Sequence, residues 1–513
     1  MDLAKEINKF NRAFKNIANG LDADIKANAA ALQNSTQINE ALETEITQLQ
    51  KEVKRLSSFH EVTIPPQPPI EPQAVKAFPS AYGAGANATG GRGGEVYIVT
   101  NLNDSGNGSF RDAVNESNRI IIFNVSGTIH LTTSLYIRSK NLTIAGQSAP
   151  FGGVAITGKN LYLDTTSNII MRYVRCRPLF NDAGNVDALN AYNLTNCIFD
   201  HCSISWGGDE AFSITGSSSN ITVQNSILGE SKTGMIAGNV SANDSDNFSI
   251  YNNLWYNISH RFPNISSGKN EVVNNIVHNW SSRLMVAPIF PNTKLNEINN
   301  FYQSGKNTYS PTAKLQGLNW LDIRNGNEKT GSQVYTNGNV YDGFVDEGDD
   351  NWKLWVYRFD NPFGKNGETP SLKYRSETPF KMNGVDIPTI GARKNLEFAH
   401  QKGANKSLNA DGTFNVQRDN VDVRYIKNII NNTSEQYGYH QTDIASTASY
   451  KAYQNAVSNT PINTRPSNYD TSSDGIPDVW KQAKGFDANK DLSSYVWPSG
   501  YVGIEEFLNE IDN

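Results

Sequence analysis

The sequence predicts a mainly β protein wound as a parallel β-helix, with an α-helical rod in front and a small acidic loop and helix behind. Three observations carry this expectation: a drifting repeat in the middle, apolar residues spaced three and four apart at the start, and aspartates at alternate places near the end. Composition sets the limits. Lys plus Arg against Asp plus Glu is 45 − 51 = −6 over 513 residues, so the basic face of a nucleic-acid binder is not expected. No run of about 18 apolar residues occurs, so no membrane-spanning helix is expected. Cys176, Cys197 and Cys202 are an odd number and cannot form a fully paired disulfide framework. The opening MDLAKEINKFNRAFKNIANG lacks the apolar block of a secretory signal. That predicts either a processed chain or export by another route.

The rod comes first. Apolar residues fall at Ile7, Phe10, Phe14, Ile17 and Leu21, step to Ile25, and resume through Leu32, Leu42, Ile46, Leu49, Val53 and Leu56. Such a stripe buries itself by coiling against other helices, and polar seam places such as Asn28, Ser35 and Asn39 can fix its register. The spacing predicts a coiled coil over residues 1–60, hence a homo-oligomer with a trimer favoured. Residues 61–76 follow as a linker whose core, VTIPPQPPIEPQAV, favours a semi-rigid extended spacer.

The body repeats asparagine, alternating apolar residues and a turn. Openings stand at Asn141, Asn168, Asn196, Asn220, Asn247, Asn270 and Asn296, separated by 27, 28, 24, 27, 23 and 26 residues. A period in the twenties built from short β-rich segments marks a solenoid. Leucine-rich repeats need a leucine frame that is absent, and sandwich strands come closer together. Asparagines at equivalent turns can bond up and down the stack. Cys176 and Cys202 sit at corresponding places on neighbouring coils and read as inward hydrophobes. GGRGG at Gly90–Gly94 lacks the Lys-Ser/Thr of a phosphate loop and reads as a turn entering the β-helix.

Several segments carry a resemblance. AFPSAYGAGANATGGRGGEVYIVTNLNDSGNGSFRDAVNESNRIIIFNVSG at Ala77–Gly127, NLTIAGQSAP at Asn141–Pro150, DALN, FDHCSISW and RFP at Arg261–Pro263 together resemble bacterial pectate lyases of the first polysaccharide lyase family. The resemblance spans about residues 77–305 and extends more loosely to about 460. It implies a right-handed parallel β-helix that cleaves an acidic polysaccharide, a polyuronate, by calcium-assisted β-elimination. The rod is foreign to that pattern. A helical stalk before a β-helix, without a secretory signal, resembles a bacteriophage tailspike or capsule depolymerase. That implies attachment to a virion tail through the N-terminus; a secreted bacterial enzyme is the alternative, and both act outside the cell.

β-Elimination needs a hard cation to neutralise the uronate carboxylate, a base to take the weakly acidic C5 proton, and a cationic group near the carboxylate. The resemblance places Asp187 and Asp209 as Ca2+ ligands. Ser213 stands where the family often has a further carboxylate, which weakens the site. Glu210 would compensate, but strand alternation points it away from Asp209 unless the strand end bends. Asp200 and His201 read as a structural hydrogen-bonded pair. Arg261 matches the family's arginine base, which must lie buried beside positive charge to act as one. Asn264 and Ser266 replace the arginines that usually follow, so downstream carboxylates would be held less tightly. Lys232 matches a lysine that grips a substrate carboxylate, and Arg175 and Arg177 share a strand face that could line the groove or pair ions along the stack. The seven histidines form no HxH or HxxxH pair, which argues against a zinc hydrolase.

Residues 461–513 change character. Asp470, Ser472, Asp474 and Asp478, with Gly475 between, follow the oxygen spacing of a calcium loop, though Lys481 stands where a closing Glu would be. A structural metal site or a plain acidic turn are both open here. The aromatic stretch 306–460 is expected to extend the β-helix and to overhang its groove. Two rival functions remain: a glycoside hydrolase using Asp187, Asp209 or Glu210 as acid and base, and a silent glycan-binding adhesin.

Overall fold

The computed structural model describes residues 75–513 apart from 179–185, 239–244, 266–267, 289–292, 309–316, 324–331, 435–454, 456 and 458–459, together with Lys15, Thr47, Gln48 and Lys51. The chain divides into two compact units, residues 1–73 and 74–513. Apart from those four residues, the stretch expected to form a coiled-coil rod and most of the proline-rich spacer lie outside the described residues, and the expected trimer and virion attachment rested on that stretch.

The second unit is a coil of parallel strands. Three sheets, of ten, nine and nine strands among the described residues, take every third strand in chain order, except that the ten-stranded sheet opens on two consecutive strands, Glu95–Val99 and Arg119–Phe123. Each turn of the chain therefore adds one strand to each sheet, which is the solenoid that the repeat predicts. Inward positions are apolar and buried on every coil: Leu189 and Ala191, then Phe212 and Ile214, then Met235 and Ala237. Cys176, Cys197 and Cys202 are free thiols in this core.

The asparagine openings work as expected over most of their length. Asn141, Asn168, Asn196, Asn220 and Asn247 sit at φ between 55 and 66°, a left-handed turn that asparagine tolerates. Their amides bond coil to coil, Asn168 to Asn141 at 3.0 Å and Asn247 to Asn220 at 2.7 Å. Asn270 and Asn296 leave the pattern and bond the Gly268 and Phe380 carbonyls instead. A second, fully buried ladder runs Asn253–Asn275–Asn300–Asn339–Asn351, each side-chain carbonyl also accepting a backbone N–H.

Residues 306–460 extend the stack through Asn319–Asp322, Gln333–Asn337 and Trp355–Tyr357. One stretch of this region tracks back along the ten-stranded sheet, with Phe380 on Asn296 and Asn383 on Asn247, while Arg358 lies near Arg261. The tail packs its Trp480, Ile504 and Phe507 against Ile120, Ile122 and Tyr173.

Candidate active site

The nine-stranded sheet from Leu135–Ile137 to Trp355–Tyr357 carries the predicted chemistry where its strands begin. Leu189 pairs with Phe212, which sets Asp187 beside Glu210 two places earlier. Glu210 pairs with Thr233. On the following coils Ile236 pairs with Asn264 and Asn264 with Val286. Ahead of these pairs the Gly234 N–H bonds the His260 carbonyl and the Arg261 N–H bonds the Leu284 carbonyl, which brings Arg261 alongside Thr233 and Gly234. Successive coils, with strands about 4.8 Å apart, thus bring two carboxylates, a hydroxyl and a guanidinium to the same end of this sheet.

Asp187, Asp209 and Glu210 form the only group of three metal-ligating side chains found among the described residues, with one oxygen of each within 4.8 Å of the others. Glu210 shares inward parity with Phe212 and Ile214, yet its carboxylate joins the cluster because the strand starts there and bends. Asp187 Oδ1 accepts the Glu210 backbone N–H at 3.0 Å, and Oδ2 accepts Asn190 Nδ2 at 2.7 Å. Ser213 hydrogen-bonds the same carboxylate, so it stands in the site as a neutral oxygen. Burial pushes Asp187 and Asp209 above the ordinary carboxylate value, against the pull of Arg261 on both and of Lys232 on Asp209. Crowded, buried, all-oxygen donors of this kind suit a hard divalent cation such as calcium.

Arg261 leans on the cluster from one side. It ion-pairs with Glu210 and reaches Thr233 Oγ1 at 3.4 Å, with its side chain 25% exposed. Burial lowers its affinity for a proton; Asp209 and Asp187 oppose that shift and Arg358 adds to it. Its φ of 72° is left-handed, an expensive conformation for a non-glycine residue and one that clusters at functional sites. Two glycines make room for the turns: a Cβ on Gly234 would meet the Arg261 carbonyl at 2.1 Å, and one on Gly207 the Glu210 carbonyl at 2.0 Å. Lys232 is exposed at the rim, near enough to Asp209 to pull its proton affinity down.

Other predicted residues lie elsewhere. Arg175 and Arg177 are buried in a different sheet, so they do not line the groove. Arg175 donates to the Gly152 and Ala404 carbonyls at 2.9 and 2.7 Å. Arg177 pairs with Asp419 and, at 2.6 Å, with Asp422, pinning the helix Asn420–Ile430 to the stack. Asp200 is buried between Arg172 at 2.8 Å and His201 at 2.9 Å, which hold it well below the usual carboxylate range. In the tail, Lys481 stands among the acids where a metal ion was one of two open readings. Its buried Nζ lies 2.6 Å from Ser472 Oγ, 3.2 Å from Asp474, 3.6 Å from Asp470 and 3.7 Å from Asp478.

Sequence reasoning missed Thr233, Arg283, Arg358 and His260. Burial and the neighbouring Arg283, Arg358 and Lys232 depress the His260 imidazole to about 3, so it is neutral at pH 7. Arg283 was findable as the next coil's counterpart of Arg261; Arg358 arrives from beyond the clear repeat.

A parallel β-helix bearing such a carboxylate cluster beside a half-buried arginine has the build of a polysaccharide lyase. The chain belongs to the pectate lyase family. It is 33% identical to "Probable pectate lyase C" of Aspergillus fumigatus over 440 residues, covering 85% of this chain and 94% of that protein. The Aspergillus flavus protein of the same name matches equally, at 33% over the same spans. The Emericella nidulans protein is 41% identical over 244 residues, 48% of this chain and 56% of that one. Among solved structures, "pectate lyase Bsp165PelA from Bacillus sp. N165 in complex with trigalacturonate" is 17% identical with a TM-score of 0.43, covering 63% of this chain and 97% of that one. No family model matches the chain. Nothing in this similarity supports a virion tailspike or a stalk.

Proposed function

We propose that this enzyme cleaves pectate or a closely related polyuronate by β-elimination, with Arg261 as base and a calcium ion held by Asp187, Asp209 and Glu210. The observation that carries the reading is the Glu210–Arg261 ion pair inside the carboxylate cluster. A bound calcium ion would neutralise the C6 carboxylate of the sugar and so stabilise the charge that develops when C5 loses its proton. Asp187, Asp209 and Glu210 would hold the ion, and a Glu210 so engaged would pair less fully with Arg261. Burial and Arg358 disfavour the charged guanidinium, while Asp209 and Asp187 oppose them. Arg261 then accepts the C5 proton, the C4–O bond breaks, a C4–C5 double bond forms, and the departing oxygen takes a proton from solvent. Lys232 at the rim is suited to hold a substrate carboxylate.

One oxygen from each of three carboxylates within 4.8 Å of the others suits a shared cation better than an inverting hydrolase, whose two carboxyl groups stand roughly 6.5–9.5 Å apart to admit a water. A polymer of this kind does not cross a membrane unaided, which supports action outside the cell. The oligomeric stalk and virion attachment have no support beyond the apolar stripe at residues 1–60.

Polygalacturonate incubated with the enzyme should yield ultraviolet-absorbing unsaturated ends, and a calcium chelator should abolish them. New reducing ends without the chromophore would establish the hydrolase instead, and binding without either would establish the adhesin.

A further inference from the structure

Two turns lead into the carboxylate cluster, and both are gripped from outside its sheet. Trp206 and Glu230 stand at corresponding places on neighbouring coils, one residue past the paired strands Ser203–Ser205 and Ile227–Gly229. Each is left-handed, at φ 72° and 47°, a costly conformation for a residue other than glycine. Asp209 lies three residues after Trp206, and Lys232 two after Glu230. The turns are also laced to each other. Gly207 N–H reaches Ser231 Oγ at 2.9 Å, and Thr233 N–H reaches the Asp209 carbonyl at 2.8 Å.

The helix Asn420–Ile430 takes hold of this corner at Glu230. The buried Glu230 carboxylate accepts the Trp206 indole N–H at 3.2 Å, the Tyr425 hydroxyl at 2.9 Å and both prongs of Arg424 at 2.7 and 2.6 Å. Gly229 leaves room for the contact, since a Cβ there would meet the Tyr425 ring at 2.5 Å. The Arg424 and Glu230 side chains are only 7% and 1% exposed. A pair so buried gives up its hydration, and well-packed apolar residues of similar size often stabilise a fold as well. What the pair supplies is geometry: a two-pronged contact fixes the plane of the carboxylate that the indole meets.

We propose that Glu230 and Arg424 are positioning residues for the cation site, holding through Trp206 the turn from which Asp209 projects. The inference rests on the calcium reading of the cluster. Neither residue touches the ion or the substrate; they act by keeping the Asp209 turn in the one arrangement that brings its carboxylate to Asp187 and Glu210. The affinity for the ion is thereby set in part by a helix whose Arg424 lies 194 residues beyond Glu230. Loosening the grip should weaken ion binding and leave the chemical step intact once the ion is in place.

Calorimetric titration of calcium into the purified full chain, without substrate, tests this. Trp206→Phe keeps an aromatic ring and removes the N–H. A double variant, Glu230→Gln with Arg424→Met, removes both charges together, so no buried ion is left alone. Both should bind calcium about tenfold more weakly, the scale of outer contacts at metal sites, and should recover their elimination rate as calcium is raised. Arg92→Met is the comparison: it breaks a pair with the buried Glu505 at 2.8 Å, in the tail. It should lower the melting midpoint and leave calcium affinity unchanged. Wild-type affinity in the double variant, or equal weakening in Arg92→Met, would overturn the positioning role. Wild-type enzyme that binds no calcium would overturn the cation site and this inference with it. Wild-type enzyme that binds calcium but releases no unsaturated ends would overturn the elimination reading and leave the comparison of affinities intact.

Discussion

Two acidic clusters in this chain look alike as sequence and differ in what neutralises them. In the tail, Asp470, Ser472, Asp474 and Asp478 surround Lys481, whose side chain is 0% exposed. In the groove, Asp187 accepts from Asn190 and Ser213, and Arg261 reaches in from the edge and pairs with Glu210. A covalently attached cation at the centre makes the loop a permanent part of the fold. A cation at the edge, on a side chain that can be displaced, leaves room for an exchangeable ion and for a change of protonation. The same residue types thus build a closed ion cluster in one place and, on the proposed reading, a reactive site in the other.

Removing the cation of each cluster should separate these roles. Arg261→Lys keeps a positive charge but not the guanidine, and should lower elimination about 10³- to 10⁴-fold, or roughly 4–5.5 kcal/mol of transition-state free energy, while the fold persists. Arg261→Ala should behave likewise. Rates of unsaturated-product formation alongside thermal melts read both; retained turnover would remove Arg261 from the reaction. Lys481→Met should do the reverse. Leaving buried carboxylates without their partner costs roughly 3–5 kcal/mol, visible as a shifted denaturation midpoint, with activity per folded molecule unchanged. A chelator should leave the tail's contribution to stability untouched; a calcium-dependent recovery of Lys481→Met would mean that the loop accepts a metal once its ammonium is gone.

The difference between the clusters was only half legible in the sequence. Spacing identified the tail acids and family resemblance the groove acids, and Lys481 was conspicuous as the wrong residue for a calcium loop. That it supplies the cation itself required the helix Asp478–Ala483 to bring its Nζ back into the loop. Asp187, Asp209 and Arg261 were legible through the family resemblance of the segments that carry them, and the coils bring them together. Glu210 was ambiguous because alternation is a rule for strand interiors and fails at a strand's first residue. Arg175 and Arg177 were misplaced for a different reason: the period says which residues stack, not which of three sheets faces solvent, and a helix more than two hundred residues later covers theirs. Arg358 lies past the point where the asparagine signal fades, so nothing linked it to the site.

A smaller change sharpens the groove side. Ser213 already hydrogen-bonds Asp187, so Ser213→Asp adds a fourth carboxylate beside the ion. Calcium affinity follows ligand charge, and the half-saturating calcium concentration for activity should fall about tenfold. No change would mean that Ser213 serves only to orient Asp187.

The gentlest probe is pH. In the absence of the ion, burial holds Asp187 and Asp209 above their ordinary value of 3.8. A carboxylate whose folded value is raised favours the fold while protonated. That contribution is complete below 3.8 and is lost as pH rises through the raised values. Calcium offsets the loss, because it binds the ionised forms and competes with the same protons. The stabilisation gained on adding calcium should therefore be near zero at pH 3.8 and grow as pH rises, levelling off only above the usual carboxylate range. Glu271, raised to about 7, and His278, lowered to about 4, also titrate with folding but lie outside the cluster. They cancel when melts with and without calcium are subtracted at each pH. Lys481→Met should keep the same calcium increment and pH profile if its loop stays metal-free, whereas Asp209→Asn should shrink the increment at every pH.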